Sequence, residues 1–157
     1  MRPDDDVKLG KLMKSRGYHQ EVVYGSDFME VEWYASTPEL VRGLEKNAFA
    51  GAEYSIALVV SGVAMHLITN VWPFLAVVLL PGMAKVPYCF VVLVLLWMAY
   101  DSARFHRIPR WYSLGYPLAS LLFSFIMLRT MILNLLQGGI WWRGTFYSLT
   151  ALRKARL

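Results

Sequence analysis

The sequence predicts a mainly α-helical membrane protein, with two to three transmembrane helices following a small α/β cytoplasmic segment. Three observations predict it. The stretch from Tyr54 to Leu80 runs for 27 residues without a formal charge, and about 20 apolar residues at helical rise suffice to cross a hydrocarbon core. Of the 157 residues, 57% are apolar and only 17% charged, a departure from soluble domains in the direction of membrane proteins. The charges are also divided unevenly. Residues 1–53 carry seven Lys/Arg against ten Asp/Glu, net −3, and residues 54–157 carry nine against one, net +8. Basic residues that sit beside Trp and Tyr at span ends suit anionic lipid headgroups better than nucleic acid. Three regions follow: a cytoplasmic segment at 1–53, a transmembrane region at 54–136 and a basic aromatic tail at 137–157.

In the first region, residues 3–17 read as a short helix. Asp4, Asp5 and Asp6 lie in its first turn, Lys11, Lys14 and Arg16 come late, and Gly17 is a stop signal, a charge order that fits the helix dipole. Leu9, Leu12 and Met13 share one face. The runs YHQEVVYG and FMEVEWY, separated by Gly25-Ser26-Asp27, alternate enough to predict a pair of strands. Thr37-Pro38 then supplies a cap and a first-turn proline for an interfacial helix over Pro38 to Ala50. Its apolar stripe is Leu40, Val41, Leu44, Ala48 and Phe49, opposite Arg42, Glu45 and Lys46. These few elements bury too little surface to make a substantial core alone, so the segment is expected to pack on a partner or to be the end of a larger domain.

In the membrane region, Pro73 is expected to kink the first span, with Thr69 and Asn70 placed to satisfy the backbone groups it frees. His66 lies inside that span, and donation to a neighbouring helix is its expected role, ahead of proton handling. Pro81 to Pro87 forms a turn and Val86 to Tyr100 returns. The next loop carries Arg104, Arg107 and Arg110, which by the positive-inside rule is cytoplasmic, as are residues 1–53. Leu118 to Leu136 raises a conflict. A full third crossing would put Arg143, Arg153, Lys154 and Arg156 outside, and would leave Arg129 in mid-run. A broken or re-entrant helix with Arg129 near the headgroups would return the tail to the cytoplasm, and both readings stay open. Cys89 is the single cysteine, so no internal disulfide forms; it reads as a small buried hydrophobe.

Two stretches are candidates for chemistry. Crowding of carboxylates at Asp4-Asp5-Asp6 raises proton affinity while the helix start lowers it; an acidic first turn is the simpler account. In GGIWWRGTFYSL, Gly138-Gly139 breaks the preceding helix, and Trp141, Trp142 and Tyr147 can anchor at an interface beside Arg143. No metal-ligand cluster or glycine-rich phosphate loop occurs in the sequence.

Taken together and in order, these stretches resemble a family. DDDVKLGKLMKSRGY and VEWYASTPELVRGLEKNAFAG are similar to consecutive segments of membrane-bound family 2 glycosyltransferases, and GGIWWRGTFY to the tryptophan-arginine-glycine ending of their lipid-sugar branch, nearest the hopanoid-associated and ceramide-glucosyltransferase-like enzymes. The resemblance implies that residues 1–53 are the end of a GT-A domain. It also implies transfer of a sugar from a nucleotide-sugar donor to a lipid acceptor in the cytoplasmic (inner) membrane. Asp5 and Asp6 fall on the family's acidic pair, Asp6 as the general base that takes the acceptor hydroxyl's proton. Arg42 and Lys46 on the interfacial helix, and Trp142 and Arg143 in the terminal motif, fall at substrate-binding positions, with Glu45 and Lys46 standing where the family has arginine and tryptophan. The nucleotide-binding half, whose aspartate-x-aspartate motif holds a divalent Mg or Mn, has no counterpart upstream of Asp4. The chain is therefore expected to be the C-terminal portion of such an enzyme, inactive alone. A small non-enzymatic multi-pass protein that binds a partner through its N-terminal segment is the alternative.

Overall fold

The computed structural model describes residues 5–23, 25, 28, 31–45, 47–142 and 144–154, with the backbone alone at 5–8 and 142. The protein is mostly helical, with one two-stranded sheet among the described residues. It divides into two compact units, Met1–Val59 with Ile126–Leu157, and Val60–Phe125.

In the first unit, α1 (Asp5–Ser15) ends as its sequence demands. Gly17 takes φ +80°. The Tyr18 amide reaches back to the Met13 carbonyl at 3.1 Å and the Gly17 amide to Lys14 at 3.0 Å, the paired closure of a Schellman turn. On the face shared by Leu9, Leu12 and Met13, Leu12 is half-buried while Leu9 and Met13 are exposed. The expected strand pair does not form: residues 18–23 and 31–34 carry no strand, and Val22, Val23, Val31 and Trp33 stand open. An isolated hairpin with no sheet or helix to cover one face is marginal whatever its alternation. Ser26 and Asp27 of the expected turn lie outside the described residues.

The next helix, α2 (Thr37–Leu44), starts one residue earlier than the Thr37 cap predicts. Ser36 is the cap. Its hydroxyl accepts from the Glu39 amide at 3.4 Å, while the Glu39 carboxylate accepts from the Ala35 amide at 3.1 Å, a near relative of the capping box. Gly43 is required here by close approach, because a Cβ would drive into the Tyr34 ring. The single interfacial helix predicted over 38–50 is instead two pieces, α2 and α3 (Ala48–Gly51). Its stripe survives the break, with Leu40, Val41, Leu44 and Ala48 half-buried and Phe49 fully buried.

Beyond α3 the chain turns through two left-handed residues, Glu53 at φ 52° and Tyr54 at φ 57°, each costing of order 1 kcal/mol or more for a residue with a Cβ. The turn is fixed by its neighbours. The Tyr54 amide bonds the Phe49 carbonyl at 3.0 Å, the two rings meet edge to face at 5.6 Å, and Arg153 donates twice to the Tyr54 carbonyl, at 3.2 and 3.0 Å. α4 (Ile56–Asn70) begins in this unit and α7 (Tyr116–Leu136) ends in it. Gly138, at φ +67°, ends α7. In the tail, β1 (Gly139–Trp142) pairs antiparallel with β2 (Thr145–Ser148), and α8 (Leu149–Lys154) follows. Phe49, Tyr54, Val59, Ile126, Met131, Ile140, Leu149 and Leu152 form the buried apolar core of the unit.

In the second unit the predicted kink is present. α4 and α5 (Trp72–Leu79) meet at a break bent by 43°, and Pro73 lies in the first turn of α5, where its missing N–H costs nothing. Thr69 and Asn70 behave differently from expectation. Their side chains donate back to the Met65 carbonyl at 2.9 Å and the His66 carbonyl at 3.2 Å, which are already helix acceptors. Such back-bonding bends helices, so these residues promote the bend and do not repair it. After a 3-10 turn at Gly82–Lys85, α6 (Val86–Phe105) runs five residues past the predicted Tyr100. Its end repeats the Schellman closure with Arg107 in the left-handed position, φ 57°, the Ile108 amide bonding Ala103 at 3.0 Å and Arg107 bonding Arg104 at 3.2 Å. A second 3-10 segment, Arg110–Gly115, leads into α7.

Two helical stretches, Gly82–Phe105 and Arg110–Leu136, are long and apolar enough to cross a membrane, and the bent α4–α5 pair makes three if counted as one span. α7 is continuous through Arg129, so a broken third segment is not what forms.

Candidate functional site

α1, which Asp5 and Asp6 open, α2, which carries Arg42, and β1, which Trp142 closes, belong to the first unit although they come from opposite ends of the chain. Asp5 and Asp6 open α1; their side chains lie outside the described residues. Trp142 closes β1 opposite Thr145, its side chain also undescribed, and Lys46 and Arg143 lie outside the described residues. Arg42 is exposed on α2, and its Nε donates to the Pro38 carbonyl one turn back at 3.3 Å. α1 is tied to the left-handed turn by Lys11, whose ammonium meets the Glu53 carboxylate at 2.7 Å.

The hairpin presents the terminal motif on a stiff support. Gly144, just before β2, takes φ +77°, and tight hairpin connections need a left-handed residue. On one face Trp141 and Phe146 are cross-strand partners with ring centroids 5.2 Å apart and remain accessible. On the other, Ile140 is buried. Gly139 admits the close approach of Phe146 and the Tyr147 carbonyl, which a Cβ would block. The Ser148 hydroxyl accepts from the Ala151 amide at 3.3 Å and starts α8, which carries Arg153 to the Tyr54 carbonyl.

A polar constellation that the sequence reading did not assemble lies at the end of α2. Arg129 of α7 forms an ion pair with Glu45, each side chain about a third exposed. Asn134, one turn further along α7 and only 4% exposed, donates to the Glu45 backbone carbonyl at 3.4 Å. Glu45 was expected on the solvated face of its helix; instead it answers the charge of Arg129. Thr130 beside it is 1% exposed, with a hydroxyl that meets no partner among the described residues.

The second unit holds a separate polar cluster. His66 Nδ1 lies 3.3 Å from Asn70 Nδ2, Asn70 Nδ2 also donates to Thr69 Oγ1 at 2.7 Å, and Tyr116 donates to Asn70 Oδ1 at 2.5 Å. With Nδ1 accepting, His66 carries its proton on Nε2, which is buried without a partner among the described residues. The ring packs against Phe123 at 5.1 Å. His66 therefore hydrogen-bonds within its own helix, and the bridge to another helix is made through Asn70 and Tyr116.

No family model, curated protein or solved structure matches the chain.

Proposed function

We propose that this chain is the membrane-embedded, acceptor-side part of a glycosyltransferase system that moves a sugar from a nucleotide-activated donor to the hydroxyl of a lipid. The observation that supports the reading is that α1, which the acidic pair opens, α2 and the β1–β2 hairpin belong to one compact unit, in a chain that also has helices apolar enough to cross a membrane. In this reading Asp6 accepts the proton of the acceptor hydroxyl as its oxygen bonds the anomeric carbon, while the bond from that carbon to the donor's phosphate breaks and the nucleotide diphosphate leaves. Asp5 tunes the base. Arg42, Lys46 and Arg143 are cations for the phosphates, and Trp142 seats the acceptor headgroup. Among the described residues no group of three or more His, Cys, Asp or Glu could hold a metal ion. The donor-binding half lies outside these residues, and the unit faces the cytoplasm.

The test is transfer of labelled sugar to lipid in membranes from cells expressing the natural locus, with a panel of nucleotide sugars. Asp6→Asn is expected to lower transfer by at least 10²-fold, in line with the loss of a general base. Full activity in that variant overturns the base assignment.

One observation favours a second reading, a non-enzymatic membrane protein that docks a partner through its N-terminal segment. Val22, Val23, Phe28 and Trp33 are each more than four-fifths exposed, an apolar surface that water alone does not favour. Absence of transfer with every donor, together with a partner lost on Val23→Asp/Trp33→Asp, would establish this reading over the first.

A further inference from the structure

The first unit contains both the residues before α4 leaves it, at Val59, and those after α7 returns, at Ile126. Three ties hold these two parts together: the Glu45–Arg129 ion pair, the Asn134 bond to the Glu45 carbonyl, and the paired Arg153 bonds to the Tyr54 carbonyl. None of the three can form through a bilayer. A hydrogen bond requires its groups within about 3.5 Å, against a hydrocarbon core of about 30 Å. Residues 45–54 and 129–153 therefore lie at one depth and on one side. Whatever path residues 60–125 take between them, it starts and finishes at the same face.

We infer that the chain crosses the membrane an even number of times, and that Glu45 and Arg129 are the positioning residues that latch its two ends to one face. With three candidate apolar segments, this means that one of them enters and leaves by the same side. The tail returns to the side of residues 1–53; because α7 is continuous, the bent α4–α5 pair is the segment that re-enters, and the loop of Arg104, Arg107 and Arg110, expected on that same side, lies opposite it. Lys11, Lys14, Arg16 and Arg42 share a face with Arg153 and Lys154, which the positive-inside rule identifies as cytoplasmic. The latch also explains how an arginine is accommodated inside an apolar helix. Arg129 has a carboxylate supplied by α2, and α7 continues past it into the packed first unit, where Met131 and Asn134 are buried by protein. The inference does not require sugar transfer, although an enzyme built from Asp6 and Arg143 would need it.

The test is sidedness, read independently of activity. In the full chain with Cys89→Ser, single cysteines at Ser15→Cys and Thr150→Cys, both exposed positions, are labelled with a membrane-impermeant maleimide in right-side-out and inside-out vesicles. Both are expected to react in the same vesicle type and to be protected in the other. Reaction of the two from opposite sides overturns the even crossing. For the latch, Arg129→Glu is expected to give Thr150→Cys a mixed orientation, with labelling in both vesicle types, and the swap Glu45→Arg/Arg129→Glu to restore a single one. If Arg129→Glu leaves one orientation, or the swap does not restore it, the positioning role of the pair is overturned.

Discussion

α6 and α7 are the two long apolar helices of this protein, and hydropathy does not tell them apart. Their apolar windows have the same mean hydropathy, yet none of the window containing α6 is buried by the rest of the protein, against a third of that containing α7. The difference lies in the polar side chains. Between Phe90 and Met98, α6 offers nothing more polar than Trp97. α7 carries Ser120, Ser124, Thr130 and Asn134, all buried, and Arg129, which is paired. In a bilayer there is no hydrophobic drive between apolar helices, so small and polar residues decide which helix face meets protein. α6 offers most of its circumference to acyl chains and half-buries a stripe of Cys89, Val92, Leu96 and Ala99, while α7 is suited to protein along one side.

Charge should break the comparison most severely. Leu93→Arg, at an exposed position in the middle of α6, introduces a cation with no carboxylate at hand. It is expected to disfavour insertion by about 3 kcal/mol on a translocon scale, read as the inserted fraction of a glycosylation reporter. An unchanged fraction would mean that α6 does not lie in the hydrocarbon. Next comes the partner of the arginine that α7 already has. Glu45→Leu leaves Arg129 uncompensated and is expected to cost roughly 1–3 kcal/mol, below the range for a fully buried pair because both groups retain some solvent. Glu45→Leu/Arg129→Leu should recover most of that loss in thermal unfolding in detergent micelles. A double variant less stable than the single one would show that the pair contributes more than the relief of a stranded charge.

Much of this architecture was legible in the residues. Tyr54 to Leu80 signals its own apolar helix pair, and Pro73 its bend, because both depend on local chemistry. The pairing of Arg129 was also within reach. Residues 54–157 hold one acid, Asp101, so a partner for an arginine in an apolar helix had to come from the acidic N-terminal segment, and Glu45 is there. The tail hairpin had a signal too: Ile-Trp-Trp and Thr-Phe-Tyr flank a two-residue turn ending in glycine, a pattern of β-formers around a tight turn. The strand pair expected over residues 18–34 failed to form. Alternation there is a local preference, whereas a strand is stabilised by cross-strand and same-face neighbours, and Val22 and Val31 have none to bury them. The acidic pair is legible only as composition, since nothing local states what Asp5 and Asp6 face.

The smallest predicted effects test whether packing, and not charge alone, separates the two helices. Ser124 is 4% exposed and returns its hydroxyl to the Ser120 carbonyl at 3.1 Å, so its polarity is satisfied within α7 and its value to the fold is its small size. Ser124→Leu adds volume where protein already fills the space and is expected to cost about 1–3 kcal/mol, the range for overpacking a close-packed site. Ser124→Ala keeps the small contour and should fall within about 1 kcal/mol, the net worth of one hydrogen bond. In α6, Phe90→Leu trims a side chain at a site 69% exposed. It should fall within about 0.5 kcal/mol, as surface substitutions do, because lipid adjusts to the new shape where protein cannot. Thermal unfolding of the three variants in one bilayer mimetic gives the order Ser124→Leu, Ser124→Ala, Phe90→Leu. Equal losses for the first and last would mean that a partner outside this chain covers α6, and that its exposure here is the footprint of an interface.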